Sequence, residues 1–136
     1  MCLFQALDFI SRHAADFKLK RLKKLAVSGA FHTQLMTPAV EVLKKALLKI
    51  PVHDPVISVH SNVDGKRYRN SKHIISQLPK QIVSPVCWEQ TMHIIYERNS
   101  EQEFPLTYEC GPGRSLAAIL RKVNAKASKS CTSIDV

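Results

Sequence analysis

The sequence predicts an α/β protein, because segments with helical periodicity alternate with short apolar or alternating segments along its 136 residues. No internal repeat and no low-complexity stretch interrupts this alternation. The length allows one hydrophobic core, since a domain of this size buries about two-thirds of its unfolded surface. The hydrophobic content of 45% is ordinary for a globular protein, and one α/β unit is therefore the expectation.

The amino-terminal part is expected to contain two helices with a strand between them. An amphipathic helix is expected over residues 2–15. Its apolar face begins with its first residues, which indicates that the packing partner of this face is missing. Residues 17–27 alternate at first and then become apolar, as in a strand with one solvated face. Thr37 is a good N-cap and Pro38 suits the first helical position, so a helix is expected over residues 37–50.

The second half continues the alternation. Proline and Asp-Gly turns separate its elements, and a Gly-Pro-Gly corner precedes the last helix. The tail after Ala127 is short and polar and is expected to be weakly ordered. The predicted elements are a short buried strand over residues 56–59, helices over 70–78 and 86–99, a strand over 105–110 and a helix over 115–126.

The charge of the chain predicts an anionic partner. The net charge is +9, and residues 18–24 hold five cations in seven positions. Nucleic acid is disfavoured as the partner, because these cations are interleaved with leucines and the chain has no cluster of aromatic residues. No apolar run approaches the roughly 20 residues that span a bilayer, and neither a cleavable signal nor a presequence precedes the first helix. No membrane partner is expected.

Neither a disulfide framework nor a metal site is predicted. The four cysteines are widely spaced and form no Cys-x-x-Cys pair. The dipeptide His53-Asp54 and the pair His60 and His73 lack metal-ligand spacing and are interpreted as surface residues. Cys87 and Cys110 have no basic context that would activate a thiol.

Two loops are candidates for chemistry. Ser28 to Thr33 follows a predicted strand and contains His32, whose imidazole could act as a general base. The segment from Glu109 to Ser115 turns from strand to helix through two glycines, and the free N–H groups of that helix start could bind an anion. A tight structural corner is the simpler interpretation of this second loop, and the residues favour it.

Read in order, these segments resemble the malonyl-CoA:acyl-carrier-protein transacylases, and most of all the mitochondrial animal type. The resemblance covers nearly the whole chain. It is carried by Leu25 to Thr33 with Leu35-Met36 and Pro38-Ala39, by Ser61-Asn62-Val63, by Gln81 to Val86 with Trp88, and by Glu109 with Gly111-Pro112-Gly113.

The resemblance implies site residues and a fold. His32 would be the catalytic general base and acid, the backbone carbonyl of Gln81 would orient its ring, and Phe31 would contact the malonyl group and disfavour an α-methyl branch. Residues 1–25 would end a ferredoxin-like small subdomain, and residues 26–136 would form the C-terminal part of an α/β-hydrolase-like large subdomain.

The resemblance also implies a reaction and its partners. The full-length enzyme would transfer malonyl from malonyl-CoA to acyl carrier protein in fatty acid biosynthesis, as a mitochondrial monomer without a bound cofactor, and the phosphopantetheine would be carried by the partner. No Gly-x-Ser-x-Gly motif occurs in this sequence, so the nucleophilic serine is missing and the chain is expected to be inactive by itself. The alternative is a non-catalytic module that binds the carrier protein or another anion.

Overall fold

The computed structural model describes residues 3–20, 22, 27–99 and 101–135. The architecture is α/β, as predicted. Two short 3-10 helices, Gln34–Met36 and Ala127–Ser130, accompany the main elements. The helices are α1 (Leu3–Arg12), α2 (Thr37–Leu47), α3 (Ser71–Gln81), α4 (Trp88–Tyr96) and α5 (Ser115–Val123), and the strands are β1 (Thr107–Cys110) and β2 (Cys131–Ile134).

The two strands and α5 form a β-α-β unit. β1 and β2 are parallel, with Thr107 opposite Cys131 and Cys110 opposite Ile134. Side chains alternate in exposure along both strands, so that one face is partly covered and the other faces solvent. The covered face lies toward α5, because the Glu109 carboxylate accepts hydrogen bonds from backbone N–H groups in the first turn of that helix.

The hydrophobic core lies between α4 and α5. Its buried members are Met92, Tyr96, Leu120 and Ala127, and Leu120 is only 2% exposed. The hydroxyl of Tyr96 lies 2.7 Å from Thr107 Oγ1, so the ring is buried while its polar atom keeps a partner. Trp88, Ile95, Phe104, Val123 and Cys131 pack around this cluster.

The tail is the main correction in this part of the chain. It was expected to be weakly ordered after Ala127, but it forms a 3-10 helix and β2. Ala127 is fully buried in the core, and the four residues of β2 pair with β1. Parallel pairing with a distant strand is a tertiary effect that local composition does not reveal.

The site-bearing helices α2 and α3 pack against each other. α2 buries Leu47 and partly covers Val40 and Leu43, so that one apolar stripe of the helix faces inward. Thr37 is the first residue of α2 and not its N-cap, because the preceding 3-10 helix ends at Met36 and the Thr37 hydroxyl donates to the Gln34 carbonyl.

α3 extends three residues beyond its predicted end at residue 78. Proline within a helix lacks an N–H donor and normally ends or bends the helix, yet Pro79 is fully buried inside α3. The carboxyl end of α3 is hydrogen-bonded from outside, by groups of the His32 loop described below.

The predicted strand over residues 56–59 is absent, and the described beginning of the predicted strand over residues 17–27 is not a strand. Residues 56–59 carry no strand, and Val56 is completely exposed. Residues 17–20 wrap the end of the first helix, where Lys18 has a positive φ of 55° and the Leu19 N–H donates to the Ala14 carbonyl. This 6→1 bond around a left-handed residue is a Schellman motif, which satisfies a carbonyl that the helix leaves free.

The remainder of the predicted strand over 17–27, apart from residues 22 and 27, lies outside the described residues, as does Cys2. No helix in the described ranges is both long and apolar enough to cross a membrane.

Candidate active site

The His32 loop is held against the carboxyl end of α3. The backbone N–H of His32 donates to the Ile82 carbonyl at 2.8 Å, and the Gln34 side chain donates to the Val83 carbonyl at 3.4 Å. His32 has a φ of +64°, a left-handed conformation that is uncommon for any residue other than glycine. Such backbone strain persists where the surroundings enforce it, and it concentrates at functional sites.

The ring of His32 is oriented by a backbone carbonyl. Its Nδ1 lies 2.8 Å from the carbonyl oxygen of Gln81. Because that oxygen can only accept, Nδ1 carries the proton and Nε2 of the neutral ring carries the lone pair. The Nε2 atom has no hydrogen-bond partner within the described residues, so it is available to take a proton.

The same interaction places the ring at the negative end of a helix. The carbonyls of Gln81 and Ile82 belong to the last turn of α3 and its C-cap, where carbonyls lack intrahelical partners. His32 satisfies both, one with its backbone N–H and one with its ring. The ring of His32 therefore lies where the dipole of α3 is negative.

A pocket of about 400 Å³ opens beside the ring. It combines one imidazole with apolar side chains, which is the composition typical of small-molecule sites. The structure therefore brings together the three residues predicted from the sequence, His32, Gln81 and Phe31. The lining consists of Phe31, His32, Leu43, Leu78, Gln81 and Ile82.

Three residues of this site were not predicted. Leu43 and Leu78 line the pocket, and Ile82 both lines it and accepts the His32 N–H. The spacing of four between Leu78 and Ile82 is the repeat of one helix face, and this signal would have indicated their position. The predicted helix ended at residue 78, so Ile82 was not placed on the same face.

The second candidate loop, from Glu109 to Ser115, is a structural corner, in agreement with the simpler interpretation of its sequence. Both oxygens of Glu109 accept backbone N–H groups at the start of α5, from Leu116 and Ala117 at 2.8 Å each. These bonds, that of Leu116 first, lower the pKa of Glu109 below its ordinary value. Because the carboxylate occupies these donors, the helix start does not offer them to an external anion.

Two further histidines and Asp54 form local hydrogen bonds. His60 Nδ1 lies 2.8 Å from the Gly65 carbonyl, and His73 Nδ1 accepts the Arg69 N–H. Asp54 accepts the Ser71 N–H at the start of α3, and this bond lowers the pKa of Asp54. Within the ranges that the structure covers, no three His, Cys, Asp or Glu side chains form a group that could hold a metal ion.

Among the described residues, neither the thiols nor the basic stretch adds a second site. The Cys87 thiol donates to the Val63 carbonyl, and Cys110 is exposed on the outer face of β1. In the stretch 18–24, Lys18, Leu19, Lys20 and Leu22 are described and exposed, and the other three positions lie outside the described residues.

The chain is similar to known transacylases. It is 60% identical over 126 residues to the probable mitochondrial malonyl-CoA-acyl carrier protein transacylase of Drosophila melanogaster, an alignment that covers 93% of this chain and 33% of the fly protein. It is 51% identical over 132 residues to the human mitochondrial malonyl-CoA-acyl carrier protein transacylase, covering 97% of this chain and 34% of the human protein. The chain thus spans about a third of the length of these relatives. No family model matches it.

A solved structure shares the fold. The malonyl-CoA:acyl carrier protein transacylase of Xanthomonas oryzae superposes with a TM-score of 0.74 at 27% identity, over 96% of this chain and 39% of the solved chain.

Proposed function

Because this chain is homologous to a third of the length of the mitochondrial malonyl-CoA-acyl carrier protein transacylases, we propose that it forms the part of such an acyltransferase that bears the general base. The observation that carries this proposal is the geometry of His32. Its Nδ1 is fixed by the Gln81 carbonyl, its Nε2 has no hydrogen-bond partner among the described residues, and its backbone is strained beside an apolar pocket.

In the proposed reaction His32 works with a nucleophile that the chain does not contain. Nε2 takes the proton of a serine hydroxyl, the serine oxygen attacks the malonyl thioester, and the proton is returned to the leaving thiolate of coenzyme A. In the second half, His32 takes the proton of the phosphopantetheine thiol of acyl carrier protein, and the sulfur attacks the malonyl ester. The carbon–oxygen bond to the serine breaks, and His32 returns the proton to the serine oxygen. The substrates are malonyl-CoA and the carrier protein, and no bound cofactor takes part.

Phe31 is proposed to contact the malonyl group. Its ring lines the pocket beside His32 and remains about half exposed, at 49%. A rigid ring at this place leaves little room for a methyl branch on the carbon between the two carbonyl groups of malonate.

The wider assignments rest on the resemblance. Residues 1–25 are proposed to end a ferredoxin-like subdomain, and residues 26–136 to belong to the large subdomain of the transacylase. The names of the fly and human relatives support a mitochondrial location, and we propose that the complete enzyme is a monomer that acts in fatty acid biosynthesis.

A chimera tests the proposed function. The 126 matched residues of the fly relative are replaced by this chain, and the transfer of malonyl from malonyl-CoA to acyl carrier protein is measured. We expect activity close to that of the fly protein, and only background transfer from the isolated chain, since a base without a nucleophile retains little catalysis. A chimera that folds but transfers no malonyl would refute the proposal.

A non-catalytic anion-binding module is the second candidate function. Residues 111–134 contain five cations, Arg114, Arg121, Lys122, Lys126 and Lys129, and no carboxylate. All five are exposed, and such a surface favours an acidic partner such as a carrier protein. If binding is the function, the isolated chain will hold acyl carrier protein in a salt-sensitive manner, and the His32→Ala variant will bind equally well.

A further inference from the structure

Thr33 follows the site residues Phe31 and His32 and precedes the 3-10 helix Gln34–Met36. It is the N-cap residue of that helix, a position where a threonine side chain commonly accepts a hydrogen bond from a helix N–H group. Among the described residues, the Thr33 side chain makes no such capping bond. Its hydroxyl turns back instead and donates to the Ala30 carbonyl at 2.7 Å. Helix capping therefore does not account for this hydroxyl.

The hydrogen bond between Thr33 and Ala30 encloses two residues, Phe31 and His32, and both of them line the pocket. The enclosed pair forms a turn, in which His32 is the third of four residues and has a φ of +64°. A positive φ at that place in a turn is usually left to glycine or asparagine, because a Cβ atom makes the conformation costly. His32 stays in this conformation only if surrounding bonds hold it there.

Two kinds of hydrogen bond hold the turn. The bonds to the end of α3 act from outside, since the His32 N–H donates to the Ile82 carbonyl and Nδ1 of the ring to the Gln81 carbonyl, at 2.8 Å each. The Thr33 hydroxyl acts from within, by tying the two ends of the turn together. Thr33 does not line the pocket, so its influence on the reaction is expected to pass through His32.

We propose that Thr33 is a positioning residue for the general base, because its hydroxyl holds the turn that keeps the His32 ring at the Gln81 carbonyl beside the pocket. The inference rests on the proposed function, in which His32 takes the proton of a nucleophile. Without the hydroxyl, the turn can relax toward the negative φ that a residue with a Cβ atom prefers, and the ring then leaves the Gln81 carbonyl. A displacement of about 1 Å can cost roughly 10² in rate.

Two substitutions at Thr33, made in the chimera with the fly protein, test this inference. Thr33→Val removes the hydroxyl and keeps the branched shape. It should lower kcat for malonyl transfer roughly tenfold, the factor that one hydrogen bond typically contributes, with KM for malonyl-CoA nearly unchanged. Thr33→Ser should stay within about twofold of the unsubstituted chimera, because serine offers the same donor.

The matched control is Thr37→Val. The Thr37 hydroxyl donates to the Gln34 carbonyl at 2.6 Å, so this variant removes the same kind of bond over the same spacing, but around no residue that lines the pocket. Its kcat should equal that of the unsubstituted chimera. Urea unfolding identifies conditions in which both valine variants are folded, and kcat is compared there. Thr33→Ala should repeat the loss in Thr33→Val, which keeps the test decisive if valine disturbs folding.

The tautomer of His32 provides a measurement that a merely structural role of Thr33 would not change. Nitrogen NMR of the neutral ring should show the proton on Nδ1 in the unsubstituted chimera, as the bond to the Gln81 carbonyl requires. The His32 signals are assigned by their absence from the spectrum of His32→Asn. We expect a mixture of both tautomers in Thr33→Val and the Nδ1-protonated ring in Thr33→Ser and Thr37→Val. A Thr33→Val variant that keeps the Nδ1-protonated ring overturns the inference, whatever its activity.

The tautomer measurement also separates this inference from the proposed function. If the chimera folds but transfers no malonyl, the proposed function fails, while a change of tautomer confined to the variants without the Thr33 hydroxyl still supports positioning. If the chimera transfers malonyl and Thr33→Val transfers it equally well with an unchanged tautomer, the proposed function stands and positioning fails. An equal loss of kcat in Thr33→Val and Thr37→Val likewise contradicts a specific role of Thr33.

Discussion

The two parts of the molecule differ in what holds them together. The carboxy-terminal unit, residues 88–134, contains the core cluster of Met92, Tyr96, Leu120 and Ala127. The site unit, residues 28–83, buries few apolar side chains, chiefly Leu47 and Pro79, and leaves Val56 wholly exposed. The His32 loop of this unit is fixed by hydrogen bonds from His32 to the end of α3.

Because of this difference, substitutions in the two units are expected to affect different properties, stability in one and catalysis in the other. Loss of a core side chain acts through cavity formation and should change the free energy of unfolding. Loss of a group at the His32 loop should change the reaction and leave the core cluster intact. Each substitution below, made in the chimera with the fly protein, tests whether the two effects are indeed separate.

The largest effect is expected at His32. In His32→Asn the side chain tolerates a positive φ and can donate to the Gln81 carbonyl, but it cannot accept a proton as a base does. We expect kcat/KM for malonyl transfer to fall roughly 10³-fold, as for loss of a general base, with the midpoint of urea unfolding nearly unchanged. The control is His53→Asn, an exposed histidine outside the pocket, which should retain full activity.

Leu120 tests the other unit. Leu120→Ala removes a side chain that is 2% exposed, and it should lower the free energy of unfolding by about 2–5 kcal/mol in urea titrations. Its kcat/KM, measured where the chimera is folded, should remain close to the original value. A loss of activity at full occupancy of the folded state would show that the two units are coupled.

Three of the residues that line the pocket at His32 were easier to name from the sequence than the boundaries of the helices and strands around it. His32, Gln81 and Phe31 were named from linked motifs, and the structure brings them to one pocket. The helices were found because their apolar residues repeat at three and four, although their boundaries were displaced by up to three residues.

The errors share a physical cause. The tail forms β2 and residues 56–59 form no strand, because strand formation depends on a neighbouring strand and not on the segment alone. The helix α3 passed through Pro79 because the His32 loop stabilises its far end. The hydrogen bond from the Leu116 N–H to the Glu109 carboxylate likewise could not be predicted, because it depends on how the chain turns from β1 into α5.

A smaller effect, on selectivity, is expected at Phe31. Phe31→Ala enlarges the pocket beside His32 and should raise the ratio of methylmalonyl to malonyl transfer roughly tenfold, since one methyl group in a pocket changes specificity by about that factor. Competition between the two acyl-CoA substrates measures this ratio. Leu35→Ala is the control, because Leu35 is 61% exposed and does not line the pocket. An equal ratio in the two variants would remove Phe31 from the acyl-binding role.

The smallest effect belongs to the carboxy-terminal unit, at Glu109. Hydrogen bonds from the N–H groups of Leu116 and Ala117 lower the pKa of this carboxyl below its ordinary 4.5. A carboxyl with a lowered pKa in the folded state stabilises the fold above pH 4.5, and this contribution disappears as the pH falls through the folded value. Glu109→Gln should therefore lower Tm at neutral pH, and the difference from the unsubstituted chimera should narrow in acid.

The Tm difference between Glu109→Gln and the unsubstituted chimera is measured by thermal unfolding at neutral and acidic pH. Glu101→Gln is the control, because Glu101 is an exposed carboxylate in a turn. A Tm difference that stays constant with pH would mean that the Glu109 side chain acts through its shape and not its charge. In that case the corner before α5 would be held by backbone geometry alone. Malonyl transfer by Glu109→Gln should be unchanged at every pH at which the chimera is folded. The Glu109 carboxylate accepts hydrogen bonds from α5 and does not line the pocket at His32.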